Sequence, residues 1–273
     1  MTDRYAVIGN PISHSKSPQI HMVFAQQTDQ DIQYEALLAP LDGFQSTVNV
    51  FRQQGGSGMN ITVPFKQEAC QLATGLTKRA RIAGAVNTFK FDNDRILGDN
   101  TDGAGLVRDI AVNLNISVTD KRILLMGAGG AARGVILPLL QQQPAGLVIA
   151  NRTPHKAQLL RQQFAEFGPV NARDYMELSG ECFDIIINAT SASLSDALPE
   201  LPSGMFTRST LAYDMMYSTE PTRFLNYAAQ QGAQQLADGT GMLVEQAAES
   251  FYLWRGIRPE TQNIIANLKK PEA

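Results

Sequence analysis

Along this chain, short apolar runs alternate with stretches whose apolar residues recur at helical spacing, and glycine or proline marks most of the joins. That alternation predicts parallel α/β sheets with helices on their faces. The first apolar run, 5–9, stops at Asn10-Pro11. A helix starts near Ser17-Pro18, with serine as cap and proline at the first helical position. A strand over 34–39 is followed by a helix over 44–54 that ends at Gly55-Gly56. A third strand, 59–63, stops at Pro64, and helical pattern resumes at Phe65. Runs 86–91 and 95–97 form a hairpin around Asn93-Asp94. A second cycle opens with a strand over 122–126, a glycine turn over 127–130 and a helix to about 142. Runs 147–150, 184–188 and 211–214 lack period-2 alternation, as in strands covered on both faces. From 242 to 270 the pattern is helical, with a break at 256–259. The chain thus reads as two α/β domains in series, 1–102 and 103–239, with the C-terminal helices of 240–273 returning to the first.

Composition supports that picture and removes several functions. The 273 residues are 44% hydrophobic and 18% charged, enough for two ordinary cores and unlike a disordered chain. A net charge of -3 gives no field that would draw nucleic acid or an anionic membrane, so neither is expected as a partner. Two cysteines, Cys70 and Cys182, exclude a disulfide framework. They read as small buried hydrophobes in a reducing, cytoplasmic setting. Asp3 and Arg4 precede the first strand, which is unlike a signal peptide. The most membrane-like stretch, 123–140, is interrupted by Arg133 and several glycines and is better explained as strand, turn and helix. His14, His21 and His155 have no metal-ligand spacing, and no metal is expected.

The clearest chemistry lies at Gly127-Ala128-Gly129-Gly130-Ala131-Ala132, which fits G-x-G-x-x-G/A between a strand and a helix. The first glycine allows the turn, the second lets backbone N–H groups approach a pyrophosphate, and Ala132 lets helix and strand pack closely. The helix N-terminus then favours the anion. The second domain is therefore Rossmann-type. The next strand ends at Asn151-Arg152-Thr153, with Lys156 one turn on. An acid there would repel a 2′-phosphate, whereas Arg152 can pair with one, so the cofactor expected is NADP.

Three segments of the first domain converge on a ligand. Ser13-His14-Ser15-Lys16-Ser17-Pro18 places hydroxyls at a helix start, where they either cap the helix or hold a carboxylate. Asn60-Ile61-Thr62-Val63-Pro64-Phe65-Lys66 puts Asn60 and Thr62 at the C-terminal end of a strand, where open α/β sheets bind ligands. Lys66 opens the next helix and is either a proton-transfer group or a snorkelling surface lysine. Gly98-Asp99-Asn100-Thr101-Asp102-Gly103 is dense in polar groups beside the domain boundary. Asp102 caps a helix there or pairs with Lys66.

With these residues in place, the chain resembles the shikimate dehydrogenases of the biosynthetic, NADP-using type. The resemblance also rests on Gly9-Asn10-Pro11, Gly84-Ala85-Val86-Asn87-Thr88 and Ala237-Asp238-Gly239-Thr240-Gly241-Met242-Leu243. It implies that the first domain binds substrate, with Ser15 and Ser17 on its carboxylate. Thr62, Lys66, Asn87, Asp102, Tyr217 and Gln246 would hold the ring hydroxyls, and Lys66 and Asp102 would form the catalytic pair. Gly127, Ala128, Gly129, Gly130, Ala131, Asn151, Arg152, Thr153, Lys156, Met215 and Gly239 would contact NADP. The activity implied is reversible reduction of 3-dehydroshikimate to shikimate, with reacting groups drawn from both domains, by a monomer or a homodimer. Relaxed use of quinate or NAD, and a non-catalytic NADP sensor, are the rival readings. Two positions depart from the family pattern: Lys78, where relatives often carry an acid, and Ala192, after Ser191.

Overall fold

Strand β1 (Asp3–Gly9) is central and buried from Tyr5 onward, because it has a parallel neighbour on each side: β2 (Ile32–Leu38) and β3 (Gly56–Ile61). The structure, a computed structural model, describes residues 2–190 and 201–269. The first sheet runs β2-β1-β3-β5-β6-β4, where β4 is Gly75–Leu76, β5 Thr88–Asp92 and β6 Arg95–Asp99. The β5–β6 hairpin is antiparallel, as the Asn93-Asp94 turn predicts, and Asn93 takes the left-handed conformation. Alternation along β1 sends Ala6 and Ile8 to one face, where they join Phe44, Met59, Phe65 and Phe89 in one apolar cluster. Each of those buried phenylalanines contributes about 1.5–3 kcal/mol. Helices α2 (Phe44–Gln53), α3 (Lys66–Leu72) and α4 (Lys78–Ala83) belong to the same part of the chain. Tyr5 stacks on Trp254, and His21 stacks flat on Tyr34 at 4.3 Å. These join α1 (Ser17–Thr28) and α9 (Thr240–Arg255) to the sheet.

The described residues form two compact units, 2–105 with 244–267, and 106–190 and 201–243 with 268–269. The dividing points, 105/106 and 243/244, fall inside helix α5 (Asp102–Arg108) and inside α9, a few residues after the boundaries of 102/103 and 239/240 read from the sequence. A π-helical turn, Asp109–Asn113, continues α5.

The second sheet is wholly parallel in the order β12-β11-β10-β7-β8-β9. Its strands are β7 (Arg122–Met126), β8 (Gly146–Ala150), β9 (Val170–Arg173), β10 (Ile185–Asn188), β11 (Leu211–Asp214) and β12 (Gln235–Ala237). Helices α6 (Gly130–Gln141), α7 (Pro154–Phe164) and α8 (Arg223–Gln230) make the β7–β8, β8–β9 and β11–β12 crossovers, and α10 (Gln262–Leu268) ends the helical series. The strand order reverses between β7 and β10, the place where doubly wound sheets open a ligand crevice.

Three sequence expectations are corrected. Ser17 is the first residue of α1, not its cap; Lys16 is the cap, and no side chain caps the helix. Cys182 is exposed, because Phe183 beside it takes the core position; its thiol donates to the Gly204 carbonyl at 3.3 Å. Strands β4, β9 and β12 form where no strand is read from the pattern. No helix of the described residues is long and apolar enough to cross a membrane.

Candidate active site

Lys66 and Asp102 meet. The Lys66 Nζ donates to Asp102 Oδ2 at 2.6 Å, and their side chains are only 15% and 6% exposed. Each opens a helix: Lys66 begins α3 behind Phe65, and Asp102 begins α5. The end of β3 and the turn after β6 set these two starts side by side. The second carboxylate oxygen, Oδ1, accepts from Asn87 Nδ2 at 2.8 Å. Asn87 is fixed in turn, because its Oδ1 accepts from the Thr101 backbone N–H at 2.8 Å and from the Thr88 hydroxyl at 2.9 Å. A backbone N–H can only donate, so the amide orientation follows. Gln246 Oε1 accepts from the same Asn87 amide nitrogen at 3.3 Å. Lys66, Asn87, Asp102 and Gln246 are thus one hydrogen-bonded group. An ammonium held against a nearly dry carboxylate can deliver a proton to a neighbouring oxygen while the acid orders a hydroxyl.

The other residues assigned to this unit lie at the same C-terminal strand edge. Thr62 follows β3, donates its N–H to Ile8 O at 2.9 Å, and packs so close to Gly9 that a Cβ there would collide with its methyl group. Ser15 Oγ accepts from the Ser17 N–H at 3.3 Å. With no capping bond to make, the Ser17 hydroxyl is a partner of the Tyr34 phenol, which burial pushes well above its usual value while Ser17 pulls it back. Lys78 is exposed at the start of α4.

Beneath these groups lies a buried polar layer that sequence pattern does not reveal. Asn60 Nδ2 lies within hydrogen-bond distance of Thr88 Oγ1 and Ser250 Oγ, and Asn60 Oδ1 accepts from the Tyr34 hydroxyl at 2.7 Å. The only available signal is the concentration of Asn, Thr and Ser at strand ends, and it does not name partners 190 residues apart.

In the second unit the glycine turn is open where a ligand needs it. Gly127 has φ +113°, and a Cβ there would press on the Ala189 carbonyl. Nothing lies within 4 Å of a Cβ at Gly129, and no side chain caps α6, so its first N–H groups are free to meet an anion. Ala128 is buried, Gly130 and Ala131 half-buried. Arg133, one turn into α6, keeps its Nε without a partner among the described residues. Asn151 Nδ2 folds back on Thr153 O at 2.9 Å, and Arg152, Thr153 and Lys156 are exposed. Arg152 has no ion pair within the described chain, so its guanidinium is available for a phosphate. These features fit a dinucleotide with a 2′-phosphate. Met215 follows β11 and touches Gly239, where any Cβ would collide with the Met215 carbonyl. Tyr217 lies two residues beyond Met215 and is half-buried. Ser191 and Ala192 lie outside the described residues.

Comparison with known proteins gives the same outline. Residues 7–89 match the shikimate dehydrogenase substrate binding domain, 109–197 the shikimate / quinate 5-dehydrogenase family, and 239–269 the shikimate 5'-dehydrogenase C-terminal domain. A shikimate dehydrogenase (NADP(+)) of Nitrosospira multiformis is 64% identical over 98% of each chain. Among solved structures, an Ael1 enzyme from Pseudomonas putida aligns with a TM-score of 0.93 at 49% identity over 99% of both chains. A shikimate 5-dehydrogenase from Thermus thermophilus, solved with NADP(H) and shikimate, aligns with a TM-score of 0.86 at 30% identity, covering 97% of this chain and 98% of that one. Matched along nearly all of its length by such relatives, this chain belongs to the shikimate dehydrogenase family.

Proposed function

We propose that this protein catalyses the reversible NADP-dependent reduction of 3-dehydroshikimate to shikimate. The observation that carries the reading is the 2.6 Å contact between Lys66 and Asp102, braced by Asn87 in the unit that matches the family's substrate-binding domain. The bound cofactor supplies a hydride to the ring carbonyl carbon and accepts one in the reverse direction. Lys66 stabilises the negative charge that grows on the oxygen and gives it a proton. Asp102 holds the lysine and accepts from a ring hydroxyl, with Asn87, Thr62, Tyr217 and Gln246 holding the remaining hydroxyls. Ser15 and Ser17 bind the substrate carboxylate, and Ser17 is suited to this because it caps nothing.

Gly127 to Ala131 at the start of α6 would hold the cofactor's pyrophosphate, and Asn151, Arg152, Thr153 and Lys156 its 2′-phosphate. Met215 and Gly239 would contact the same cofactor. The enzyme works as a monomer or a homodimer in the cytoplasm, where two free cysteines are stable as thiols.

The test follows absorbance of the reduced nicotinamide with shikimate and with quinate, each with NADP and with NAD. Reduction confined to shikimate with NADP is expected, and Arg152→Ala should raise the KM for NADP roughly tenfold or more while leaving NAD turnover unchanged. Equal use of NAD by the unmodified protein would remove the role given to Arg152. Silence in every mixture would leave a cofactor-binding protein without this activity.

A further inference from the structure

We infer that Arg79 is a positioning residue for the Asp102 turn, a role that rests on the reading of Asp102 as part of the catalytic pair. Asp99 is 1% exposed and stands three residues before Asp102. Its carboxylate collects four donors: Arg79 Nε at 2.7 Å, Arg79 Nη2 at 2.5 Å, the Thr77 hydroxyl at 2.6 Å and the Asn100 backbone N–H at 2.8 Å. The two guanidinium bonds form the planar fork that arginine makes with a carboxylate and lysine does not.

Through Asp99 the fork sets the turn. Asp99 Oδ1 holds the Asn100 N–H, Asn100 Oδ1 accepts from the Asp102 N–H at 3.2 Å, and Asn100 Nδ2 donates to Ala85 O at 3.0 Å. The Asp99 carbonyl accepts from the Asn87 N–H at 3.0 Å, so the residue that braces Asp102 hangs from the same point. Arg79 itself touches neither Lys66 nor Asp102 in any of its bonds: its remaining ion pair is with Glu249 at 3.0 Å. Glu249 passes the charge outward to Arg258 at 2.7 Å, and Arg258 reaches the buried Glu245 at 2.8 Å, one residue before Gln246. The inner fork fixes the turn, while the outer pairs tie α9 beside it. A displacement of a catalytic group by about 1 Å lowers turnover by up to about 100-fold, so a residue that never meets the substrate can govern kcat.

The experiment compares Arg79→Ala, Arg79→Lys and Glu249→Gln in the full-length protein, assayed well below each variant's melting temperature. Arg79→Ala should lower kcat roughly 10- to 100-fold with the KM for NADPH unchanged, and Arg79→Lys should recover part of the loss. Glu249→Gln leaves the fork intact and should stay within about twofold of the parent. A melting temperature that falls in Arg79→Ala while kcat per folded molecule holds would make the residue merely structural and overturn the inference. Equal losses in Arg79→Ala and Glu249→Gln would do the same. A crystal structure of Arg79→Ala supplies a readout free of activity: Asp102 displaced from Lys66 supports the role, and an unchanged 2.6 Å contact refutes it. If the unmodified protein proves silent on shikimate, the proposed activity fails, while this structural comparison still decides the role of Arg79.

Discussion

Among the described residues Lys66 has one carboxylate partner, and that carboxylate is braced on its other oxygen by Asn87. Removing the ammonium therefore removes the proton donor without opening the pocket that holds the ring. Lys66→Ala should keep substrate affinity within about tenfold and lose over roughly 100-fold in kcat. Steady-state kinetics in the reducing direction, with a separate measurement of shikimate binding, checks this; an equal loss of affinity with kcat intact would make Lys66 a binding group only. At this scale the sequence is legible wherever a motif is contiguous. Residues 60–66 and 98–103 announce the pair because strand end, turn and helix start follow one another. Ser250 and Gln246 give no such notice as supports of Asn60 and Asn87. Their partners lie far away in sequence, and a serine inside a helix reads as filler until the fold brings Thr88 to it.

Among the elements, the glycine turn before α6 and the first turn of α9 ask different things of glycine. A methyl at Gly129 would meet nothing within 4 Å, and the backbone there is extended, with φ -82° and ψ -171°. A methyl at Gly241 would run into the buried Asp109 carboxylate, which already accepts from the Tyr213 hydroxyl at 2.6 Å. Gly129→Ala should thus leave stability within about 0.5 kcal/mol of the parent yet weaken NADP binding, since the Cβ covers the free N–H groups of α6. Gly241→Ala should destabilise by about 1–3 kcal/mol. Denaturant unfolding and cofactor titration of both variants separate the two effects; a reversed pattern would mean that neither turn acts as described. The strands that escape sequence reading share one property. β4, β9 and β12 are all edge strands of two to four residues, with a partner on one side only. They need no continuous apolar run, and Val170-Asn171-Ala172-Arg173 carries none. β2, the fourth edge, is legible because Ile32 and Tyr34 are buried while Gln33 and Glu35 between them are exposed.

For the molecule as a whole, two buried groups contribute to the response to acid. Burial pushes the His21 imidazole down to about 3, the Asn60 amide opposing, so it stays neutral in the fold while the unfolded chain protonates near 6.5. Between those values the unfolded state binds more protons, and stability falls as pH drops, by up to about 1.4 kcal/mol per pH unit. Asp99 acts lower down. Burial raises it, but the Arg79 fork, the Thr77 hydroxyl and the Asn100 N–H together outweigh burial and hold it below 3.8, so its contribution is complete above 3.8 and is lost as pH falls through the folded value. Urea unfolding between pH 4 and 6.5 should therefore show a slope that flattens in His21→Phe, and an unaltered slope would mean that the imidazole titrates freely in the fold. The division of the chain has a different consequence, in the order of synthesis. Most of the second unit lies in one run, 106–243, whereas the first is split between residues up to 105 and 244–267. On the ribosome, a first unit lacking Phe251 and Trp254 must wait, on the order of ten seconds at usual elongation rates, for the intervening residues to emerge. During that interval Phe24 and the Phe89 carbonyl, which α9 will cover, are surfaces for a chaperone to hold.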